Sequence, residues 1–582
     1  MEAAGVPTTP GYYGDDTQEP EVLLAEANKV GYPLLIKAVS GGGGKGMRLV
    51  WNESEFLDNL ASCQREAQSS FGDKRVLLER YLVSPRHVEV QIVADQFGNV
   101  VHLFERDCSL QRRHQKIIEE APASDLPLDF REEIGEMGKR AAQAVGYVNA
   151  GTVEFLLDTQ GPEPNTPMFC EMNTRLQVEH PITELISGVD LVEWQLRIAA
   201  GEELPKKQSE IKCSGHAFEA RIYAENPARN FLPATGTVWH HQPPAELNVG
   251  VNEDGVRVDT GIEAGSEVGV YYDPMICKLI AYDETRDKAL EKLVSSLKNY
   301  QIAGVPTNIE FLVNCAEHPT FQEAGAMNTG FLDNQLEEVQ VLEDKVPSTL
   351  ASAVGAFSML LRLEGRHQVQ NLLQERRRRS PWSSLAGSWT MGARAKRTLR
   401  LQDGTEMECF SNRDGSFDIS WNGETTHIQG SFTNDQTMSV VINGRKRLEL
   451  TSVLKESDGM FEILMWPKGS HGQQEFCWEV DIENPLKPPL NLSSQAVGTE
   501  GSVKAPMPGK VSRINVSPGD EVKEGDVLLA MEAMKMEHSI KSPISGVVVE
   551  LRCQVDDIVK DSFVLATVVA GEDDRDQTSQ AA

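Results

Sequence analysis

The segment "IKAVSGGGGKGM", residues 36–47, carries the first signal of the fold. An apolar run leads into four consecutive glycines, followed by a lysine and one more glycine. Glycine loses much conformational entropy on folding, so a run of glycines needs a reason. One reason is a loop whose backbone N–H groups wrap phosphate oxygens, and the alternative is a flexible surface turn. The spacing excludes a Walker A loop, because no glycine stands five residues before Gly44, and Gly46 follows Lys45 where that motif needs Ser or Thr.

Composition narrows the class of protein. The chain has 582 residues, 40% of them hydrophobic, which is enough for several globular domains. Its 87 acidic and 56 basic residues give a formal net charge of −31, which opposes binding to nucleic acid or to an anionic membrane. No stretch approaches the roughly 18 to 20 apolar residues of a membrane span. The nine cysteines form no C-x-x-C pair, which favours free thiols over disulfides or zinc.

Between residues 20 and 330 the pattern is that of an α/β or α+β enzyme, with helical periods and short β-branched runs in alternation. Helices are predicted at 20–30 and 128–145, and strands at 33–38, 88–93 and 152–157. The start, "MEAAGVPTTPGYYGDD", has neither a basic segment with an apolar core nor an arginine-rich amphipathic stretch. No targeting signal is therefore predicted in the chain as given.

The pattern changes in the second half of the chain. Residues 347–379 predict one long helix, whose final Arg376–Arg379 run is interpreted as a solvated helix end rather than a localisation signal. Residues 388–482 alternate in short runs separated by Asn-Gly and Asp-Gly pairs that favour tight hairpins, which predicts a β domain with a docking or structural role. Residues 485–502 are rich in Pro, Ser and Gly and predict a semi-flexible tether.

The last domain contains an internal repeat. "APMPGKV" at 505–511 recurs 37 residues later as "SPISGVV" at 542–548, and each copy is followed by an alternating strand run. Neither half can bury a core alone, so the repeat predicts a small β-sandwich with pseudo-twofold symmetry. The junction "MEAMKMEH", 531–538, would place Lys535 at a hairpin tip between two methionines, a position suited to covalent modification.

Here a family resemblance becomes specific. "EAMKME" after "APMPG" resembles the biotinyl domain of biotin-dependent carboxylases, with Lys535 as the biotinylated residue. A lipoyl domain is the alternative, and the flanking methionines favour biotin. Residues 1–330 resemble biotin carboxylase, an ATP-grasp enzyme, in the strings "IKAVSGGGGKGM", "LLERYL", "PRHVEVQI", "ERDCSLQRRHQKIIEEAP", "GTVEFL", "EMNTRLQVEHPITE" and "EARIYAE". The domain order resembles that of acyl-CoA carboxylase α subunits, which lack a carboxyltransferase.

The resemblance implies a multidomain α/β and β protein. Its parts would be an ATP-grasp biotin carboxylase core lacking the N-terminal Rossmann-like subdomain, a central β domain with a long helix, and a C-terminal biotinyl β-sandwich of the hammerhead type. The implied division is a linker remnant at 1–9, the ATP-grasp lid subdomain at 10–82, the biotin carboxylase C-terminal subdomain at 83–335, the long helix with the β docking domain at 345–484, the tether at 485–502 and the biotinyl carrier domain at 503–571.

The resemblance also implies a nucleotide site. The glycine loop would be a flap that contacts phosphate when closed and moves away when open. Residues 79–82 would form the hinge segment beside the adenine, where Arg80 stands in place of a common lysine. The implied ATP-binding residues are Lys37, Gly43, Gly44, Glu79, Arg80, Tyr81, Leu82, His87, Gln111 and His114.

Carboxylates and cations further along would hold the metal and bicarbonate. The Mg²⁺ (or Mn²⁺) candidates are Glu154, Glu171 and Asn173, because Mg²⁺ takes hard oxygen ligands from one or two carboxylates plus substrate phosphates. Glu179 resembles the general base that takes the proton of bicarbonate. The implied catalytic and bicarbonate-binding residues around it are Lys116, Arg175, Gln177, Val178 and Arg221, the last of which would also hold the biotin enolate. For each charged residue, a structural salt bridge is the alternative.

The implied function is ATP- and bicarbonate-dependent carboxylation of biotin on Lys535, after attachment by a biotin protein ligase. A partner carboxyltransferase β subunit would then transfer the carboxyl to an acyl-CoA. The overall resemblance favours subunits acting on 3-methylcrotonyl-CoA in leucine catabolism, in the mitochondrial matrix, with propionyl-CoA and geranyl-CoA as alternatives.

One departure from the family pattern lies at the start. The chain begins inside the linker that follows the family's Rossmann-like subdomain, so that subdomain, a lysine of the linker that contacts ATP, and a transit peptide are expected to be absent. A truncated isoform or an incomplete gene model would explain this. The alternative function is therefore a catalytically impaired isoform that acts as a biotin carrier or assembly subunit.

Overall fold

The structure is a computed structural model. It describes residues 1–14, 17–40, 46–112, 114–159, 166–245, 251–341, 348–374, 394–412, 414–457, 459–468, 477–485, 501–533, 536–560 and 562–569. Within these ranges, no helix combines the length and the apolar character needed to cross a membrane.

The first unit is a four-stranded antiparallel sheet with two helices. Its elements are β1 (Gly11–Tyr12), α1 (Pro20–Val30), β2 (Leu34–Ala38), β3 (Met47–Val50), α2 (Glu53–Phe71) and β4 (Val76–Arg80), in the sheet order β1-β4-β2-β3. Helix α1 begins at a proline, whose fixed φ suits a first helical position, and it ends before Gly31. The predicted helix at 20–30 and strand at 33–38 are confirmed. The glycine loop joins β2 to β3, and the Ala38 N–H donates to the Gly46 carbonyl at its base (2.8 Å).

The second unit is built on an eight-stranded antiparallel sheet in the order β15-β17-β10-β7-β6-β5-β8-β9. Its elements are β5 (Arg86–Ala94), β6 (Val100–Arg112), β7 (Gln115–Ala121), α3 (Leu128–Ala144), β8 (Asn149–Leu157), β9 (Pro167–Asn173), α4 (His180–Ser187), α5 (Leu191–Ala199), β10 (His216–Tyr223), β11 (Glu225–Asn226), β12 (Leu232–Pro233), β13 (Gly236–Thr237), β14 (His240–Gln242), β15 (Val256–Thr260), β16 (Glu267–Val268), β17 (Met275–Asp283), α6 (Arg286–Asn299), β18 (Gln301–Ala303), α7 (Ile309–Glu317), α8 (Pro319–Gln322) and α9 (Phe331–Val339). The helix predicted at 128–145 and the strands predicted at 88–93 and 152–157 are confirmed.

The two faces of this sheet differ in chemistry. In "HVEVQI", residues 87–92, the apolar Val88, Val90 and Ile92 share a buried core with residues of α3. The polar residues between them point to the opposite face, because successive strand side chains alternate. Helix α4 packs on that opposite face, where its Thr183 contacts a side chain of β6. The middle of the sheet is therefore buried on both sides, with ionisable groups beneath α4.

The third unit is an eight-stranded antiparallel sheet wrapped around one helix, here named the closed-sheet domain. Its elements are α10 (Thr349–Gln374), β19 (Lys396–Arg400), β20 (Glu406–Ser411), β21 (Phe417–Trp421), β22 (Glu424–Phe432), β23 (Thr437–Ile442), β24 (Lys446–Ser457), β25 (Met460–Pro467) and β26 (Trp478–Glu483), with the strands paired in sequence order. A bridge between Leu401 and Ile482 joins the two ends of the sheet.

The burial of α10 agrees with its position inside the surrounding sheet. Residues 351–360 of α10 are all buried, as expected for a helix surrounded by protein on every side. The predicted hairpins at Asn422-Gly423 and Asn443-Gly444 are confirmed, and all four residues have the positive φ of a type I′ turn. The predicted long helix is confirmed as far as Gln374, and the Arg376–Arg379 run lies outside the described residues.

The last unit consists of two four-stranded sheets. Its strands are β27 (Ser502–Lys504), β28 (Gly509–Ile514), β29 (Glu521–Val522), β30 (Val527–Ala533), β31 (Met536–Lys541), β32 (Gly546–Leu551), β33 (Ile558–Val559) and β34 (Val564–Val569). The sheet orders are β27-β34-β32-β29 and β31-β30-β28-β33. A shift of 37 residues moves β27, β28, β29 and β30 onto β31, β32, β33 and β34, and so converts one sheet order into the other. The repeat predicted from sequence therefore generates the two symmetric sheets.

Candidate active site

Lys116 is the centre of a buried cluster of carboxylates beneath α4. Its ammonium group contacts Glu89 (2.6 Å), Glu179 (2.7 Å) and Glu154 (3.1 Å). These three side chains come from β5, from the residue before α4, and from β8. Burial lowers the pKa of Lys116, but the surrounding negative charge raises it well above its ordinary value. The lysine is thus a permanent cation shared by three acids.

Arg106 on β6 is a second cation, with a fully buried side chain. Its guanidinium donates to Glu89 (2.6 Å), and to the side chains of Gln91 and Thr183 (2.8 Å each). Burial raises the pKa of Glu89, but Arg106 and Lys116 lower it by more, to about 2. Arg106 therefore ties strand β5 to helix α4 and holds Glu89 ionised.

We expect Arg106→Met to lower the free energy of unfolding of this domain by about 3–5 kcal/mol at neutral pH, because it removes one partner of a buried ion pair. The pKa of Glu89, about 2, lies below its ordinary value of 4.5, so this stabilisation is present above pH 4.5 and is lost as the pH falls toward 2. Calorimetry of the whole chain measures the shift. Arg197→Met, at an exposed position of α5, is the control, and an equal loss in both variants would contradict the assignment.

Glu179 lies directly before α4, fully buried, between two cations. Its Oε1 accepts from Lys116 and its Oε2 accepts from the Arg221 guanidinium of β10 (2.9 Å). Burial raises the pKa of Glu179, but Lys116 and Arg221 lower it by more, so the pKa lies below its ordinary value. The carboxylate is ionised at neutral pH, and the Pro181 of the first helical turn fixes the backbone that presents it.

Two further carboxylates face each other across β8 and β9. Glu154 and Glu171 are directly paired in the strand register, an arrangement that repels when both are ionised. The Asn173 amide donates to both, at 2.9 and 3.3 Å. Burial, and then the charge of Glu154, raise the pKa of Glu171. Two adjacent carboxylates whose charges repel each other fit a hard divalent cation such as Mg²⁺, which prefers oxygen ligands.

The nucleotide-binding residues predicted from the sequence lie where the first unit is connected to the second. The Lys37 ammonium forms an ion pair with Glu79 on the neighbouring strand β4. His87 contacts Glu154 (3.0 Å), and this carboxylate raises the pKa of the imidazole more than burial lowers it. His114 occupies the exposed turn between β6 and β7, with a positive φ.

The remaining nucleotide candidates are held by backbone contacts or lie outside the described part. The Arg80 and Tyr81 N–H groups donate to the carbonyls of Pro10 and Pro33, and the Leu82 side chain is buried. Gln111 pairs with Lys116 across the β6–β7 hairpin. Gly43 and Gly44 lie outside the described residues.

Only some of the predicted bicarbonate-binding residues meet in the structure. Lys116 and Arg221 meet at Glu179, as described above. The Val178 carbonyl accepts from Lys278 (2.9 Å), and the buried Gln177 accepts from His180 through its carbonyl (2.7 Å). Arg175 is exposed, and its guanidinium donates to the Leu176 carbonyl (3.2 Å). It is close to Glu179 in the sequence but does not contact Glu179 in the structure.

Sequence reasoning missed several members of the cluster. They are Glu89, Gln91, Arg106, Glu119, Glu219 and Lys278. A signal existed, because three of the quoted strings alternate charged and apolar residues, as a strand with a polar face does. Lys535 lies outside the described residues, between Ala533 and Met536, which pair across β30 and β31.

Comparison with known proteins places this geometry in a family. Three family models match: "Carbamoyl-phosphate synthase L chain, ATP binding domain" over residues 1–207, "Biotin carboxylase C-terminal domain" over 219–334 and "Biotin-requiring enzyme" over 501–568. The mitochondrial methylcrotonoyl-CoA carboxylase subunit alpha of Dictyostelium discoideum is 45% identical, over 91% of this chain and 73% of that one. The mitochondrial propionyl-CoA carboxylase alpha chain of Caenorhabditis briggsae is 36% identical, over 91% and 70%.

A solved structure extends the likeness to the fold. The biotin carboxylase domain of Hydrogenobacter thermophilus 2-oxoglutarate carboxylase, in complex with MgADP and bicarbonate, matches with a TM-score of 0.55 and 41% identity, over 59% of this chain and 73% of that one. The predicted ATP-grasp biotin carboxylase and biotinyl folds are confirmed. The chain belongs to the family of biotin-dependent acyl-CoA carboxylase α subunits, which are ligases that use biotin, ATP and Mg²⁺.

Proposed function

We propose that this chain carboxylates biotin on Lys535 at the expense of ATP, and that a partner β subunit transfers the carboxyl group to 3-methylcrotonyl-CoA. The observation that carries the proposal is the buried, ionised Glu179 held between Lys116 and Arg221. A base between two cations suits a small oxyanion that must lose a proton before it reacts. Bicarbonate is such a substrate.

Glu179 acts in this proposal as the general base. Bicarbonate attacks the γ-phosphorus of ATP only after its proton is removed, and a positioned carboxylate can accept that proton. Lys116 and Arg221, both largely buried, then stabilise the negative charge that develops between bicarbonate and the phosphate. Arg175, with its planar donor fork, contributes to bicarbonate binding from the exposed rim, beside Gln177 and Val178.

The phosphates and the metal occupy the neighbouring edge of the sheet. Glu154, Glu171 and Asn173 hold Mg²⁺, which neutralises phosphate charge when it is bound. Lys37, Gly43 and Gly44 bind the phosphates. His87, Gln111, His114 and residues 79–82 complete the nucleotide site.

We expect Asn173→Ala to raise the Mg²⁺ concentration required for half-saturation by about 10-fold or more, because the amide holds the two carboxylates in one geometry. Titration of Mn²⁺ into the ADP-bound chain, followed by electron paramagnetic resonance, measures binding directly. Asn299→Ala, at the exposed end of α6, is the control. An unchanged metal affinity in Asn173→Ala would remove this residue from the metal site.

The choice of acyl-CoA and of compartment comes from the relatives. Identity is higher to the relative named methylcrotonoyl-CoA carboxylase than to the one named propionyl-CoA carboxylase, 45% against 36% over the same share of this chain. Both are named mitochondrial, which supports action in the mitochondrial matrix, and the methylcrotonoyl-CoA carboxylase name supports a place in leucine catabolism. The closed-sheet domain serves as the docking module for the β subunit, and a biotin protein ligase modifies Lys535. The domain boundaries proposed from the sequence, with the lid subdomain at 10–82, are compatible with these separate roles.

The test has two stages. The biotinylated chain should release ADP from ATP only when bicarbonate is present, and release that ignores bicarbonate would contradict the proposal. Together with its β subunit, the chain should then incorporate labelled bicarbonate into 3-methylcrotonyl-CoA faster than into propionyl-CoA. A preference for propionyl-CoA would overturn the substrate assignment and leave the biotin carboxylation intact.

A further inference from the structure

Two fully buried carboxyl groups face each other directly behind Arg221. Glu119 on β7 and Glu219 on β10 are register partners in antiparallel strands, so their side chains share one face of the sheet. Residues in such positions have Cβ atoms about 4.5–5.5 Å apart, which is within reach of a hydrogen bond between the two carboxyl groups. Arg221 lies two residues after Glu219 on the same strand and therefore points to the same face.

The hydrogen bonds of this pair are incomplete. The Arg221 Nε donates to Glu119 Oε1 (2.5 Å). Among the residues that the structure describes, no donor reaches Glu119 Oε2 or either oxygen of Glu219. Leaving a buried carboxylate unsatisfied is costly, and leaving an ionised one unpaired costs far more. Three buried oxygens without donors therefore require an explanation.

The charges around the pair favour one proton within it. The charged groups that face the pair are Arg221 on β10, Lys116 on β7, Glu179 before α4 and Lys278 on β17. Of the cations, Arg221 is already shared with Glu179, and Lys116 with three other acids. Lys278 is bound to Asp259 (3.2 Å) and to the Val178 carbonyl. Two ionised carboxylates here would add negative charge that these cations do not balance.

The directions of the pKa shifts of the two groups agree with this charge balance. Burial raises the pKa of Glu119 to about 7, against the opposing effect of Arg221. Burial also raises the pKa of Glu219 well above its ordinary value, and neighbouring Glu119 adds to the shift.

We propose that Glu219 is held protonated and donates its proton in a hydrogen bond to Glu119 Oε2, so that the pair shares one proton and positions Arg221 against Glu179. The importance of Arg221 in this inference rests on the proposed function. The shared proton rests on the buried geometry alone. With one proton, the pair carries a single negative charge, and Arg221 keeps enough positive charge to attract an anionic substrate. Glu119 and Glu219 are positioning residues, because they act through Arg221.

Infrared spectroscopy tests the shared proton without any turnover. The difference spectrum between the parent chain and Glu219→Gln at pH 7 should contain the C=O stretch of a protonated carboxyl group, which a carboxylate lacks. Glu193→Gln, at an exposed position of α5, should lose carboxylate bands and gain amide bands, with no band of a protonated carboxyl group. Absence of the protonated band in the Glu219→Gln difference would overturn the proposal, whether or not the chain releases ADP.

Kinetics tests the positioning role. Glu219→Ala removes the donor and should lower kcat for bicarbonate-dependent ADP release by about 10- to 100-fold, since misplacement of a reacting group by about 1 Å has costs of this size. Glu219→Gln can still donate a hydrogen bond and should recover most of that loss. The parent should lose rate at alkaline pH as the shared proton leaves, whereas Glu219→Gln should lack that loss. Equal rates in the Gln and Ala variants would show that donation by residue 219 is irrelevant to Arg221.

Discussion

Lys535→Arg is expected to abolish biotinylation completely. Attachment of biotin forms an amide bond to a lysine amine, and the arginine guanidinium, which stays protonated at any accessible pH, cannot replace it as a nucleophile. The backbone on both sides of residue 535 is held by strand pairs, Ala533 with Met536 and Glu532 with Glu537, so the substitution should leave the two symmetric sheets unchanged.

The experiment is co-expression with a biotin protein ligase, followed by intact-mass measurement and a streptavidin blot. The parent chain should gain the mass of one biotin, and Lys535→Arg should gain none. Lys504→Arg, in strand β27 of the same domain, is the matched control and should be labelled like the parent. Persistent labelling of Lys535→Arg would assign the biotin to another lysine, and a lipoyl mass would replace the cofactor assignment.

Glu179→Gln is expected to lower bicarbonate-dependent ATP cleavage by roughly 10² to 10⁴, the usual contribution of general base catalysis. Glutamine keeps the size of the side chain but cannot accept the bicarbonate proton. Nucleotide affinity should barely change, because Lys37 and the Glu154–Glu171 pair, which we propose for the phosphates and the metal, lie on strands β2, β8 and β9, whereas Glu179 precedes α4.

The control for this variant is Glu193→Gln, which removes an exposed carboxylate on α5. Steady-state rates and ADP affinity should be measured on both, together with the unfolding temperature. A variant that loses ATP binding while its residual turnover is normal would make Glu179 a structural or metal residue. A variant that is slow because it is unfolded would be recognised by its melting curve.

Much of the fold could be predicted because its signals are local. Helix α1 is marked by Pro20 and Gly31, and the hairpins of the closed-sheet domain by their Asn-Gly pairs. The 37-residue repeat predicted two related halves, and the strands pair as that symmetry requires. In each case a few neighbouring residues set the backbone conformation, so nothing distant was needed.

The candidate site could be predicted only in part. Glu154 and Glu171 were predicted as metal ligands, but their direct opposition depends on the register of β8 and β9. Lys116 was expected near bicarbonate, whereas its three simultaneous carboxylate partners follow from the order of strands in the sheet. Register and strand order arise from long-range packing, which the local pattern does not contain.

The sequence by itself determined the order of domains, the glycine loop after a buried strand, the lysine at the junction of a repeat and the family. Only the tertiary structure decided that Glu89, Glu119 and Glu219 are buried. Alternation of polar and apolar residues in a strand predicts a solvated polar face when one side of the sheet is open to water. Here α4 covers that face, so the same residues become a buried network that must share cations and, in our proposal, a proton.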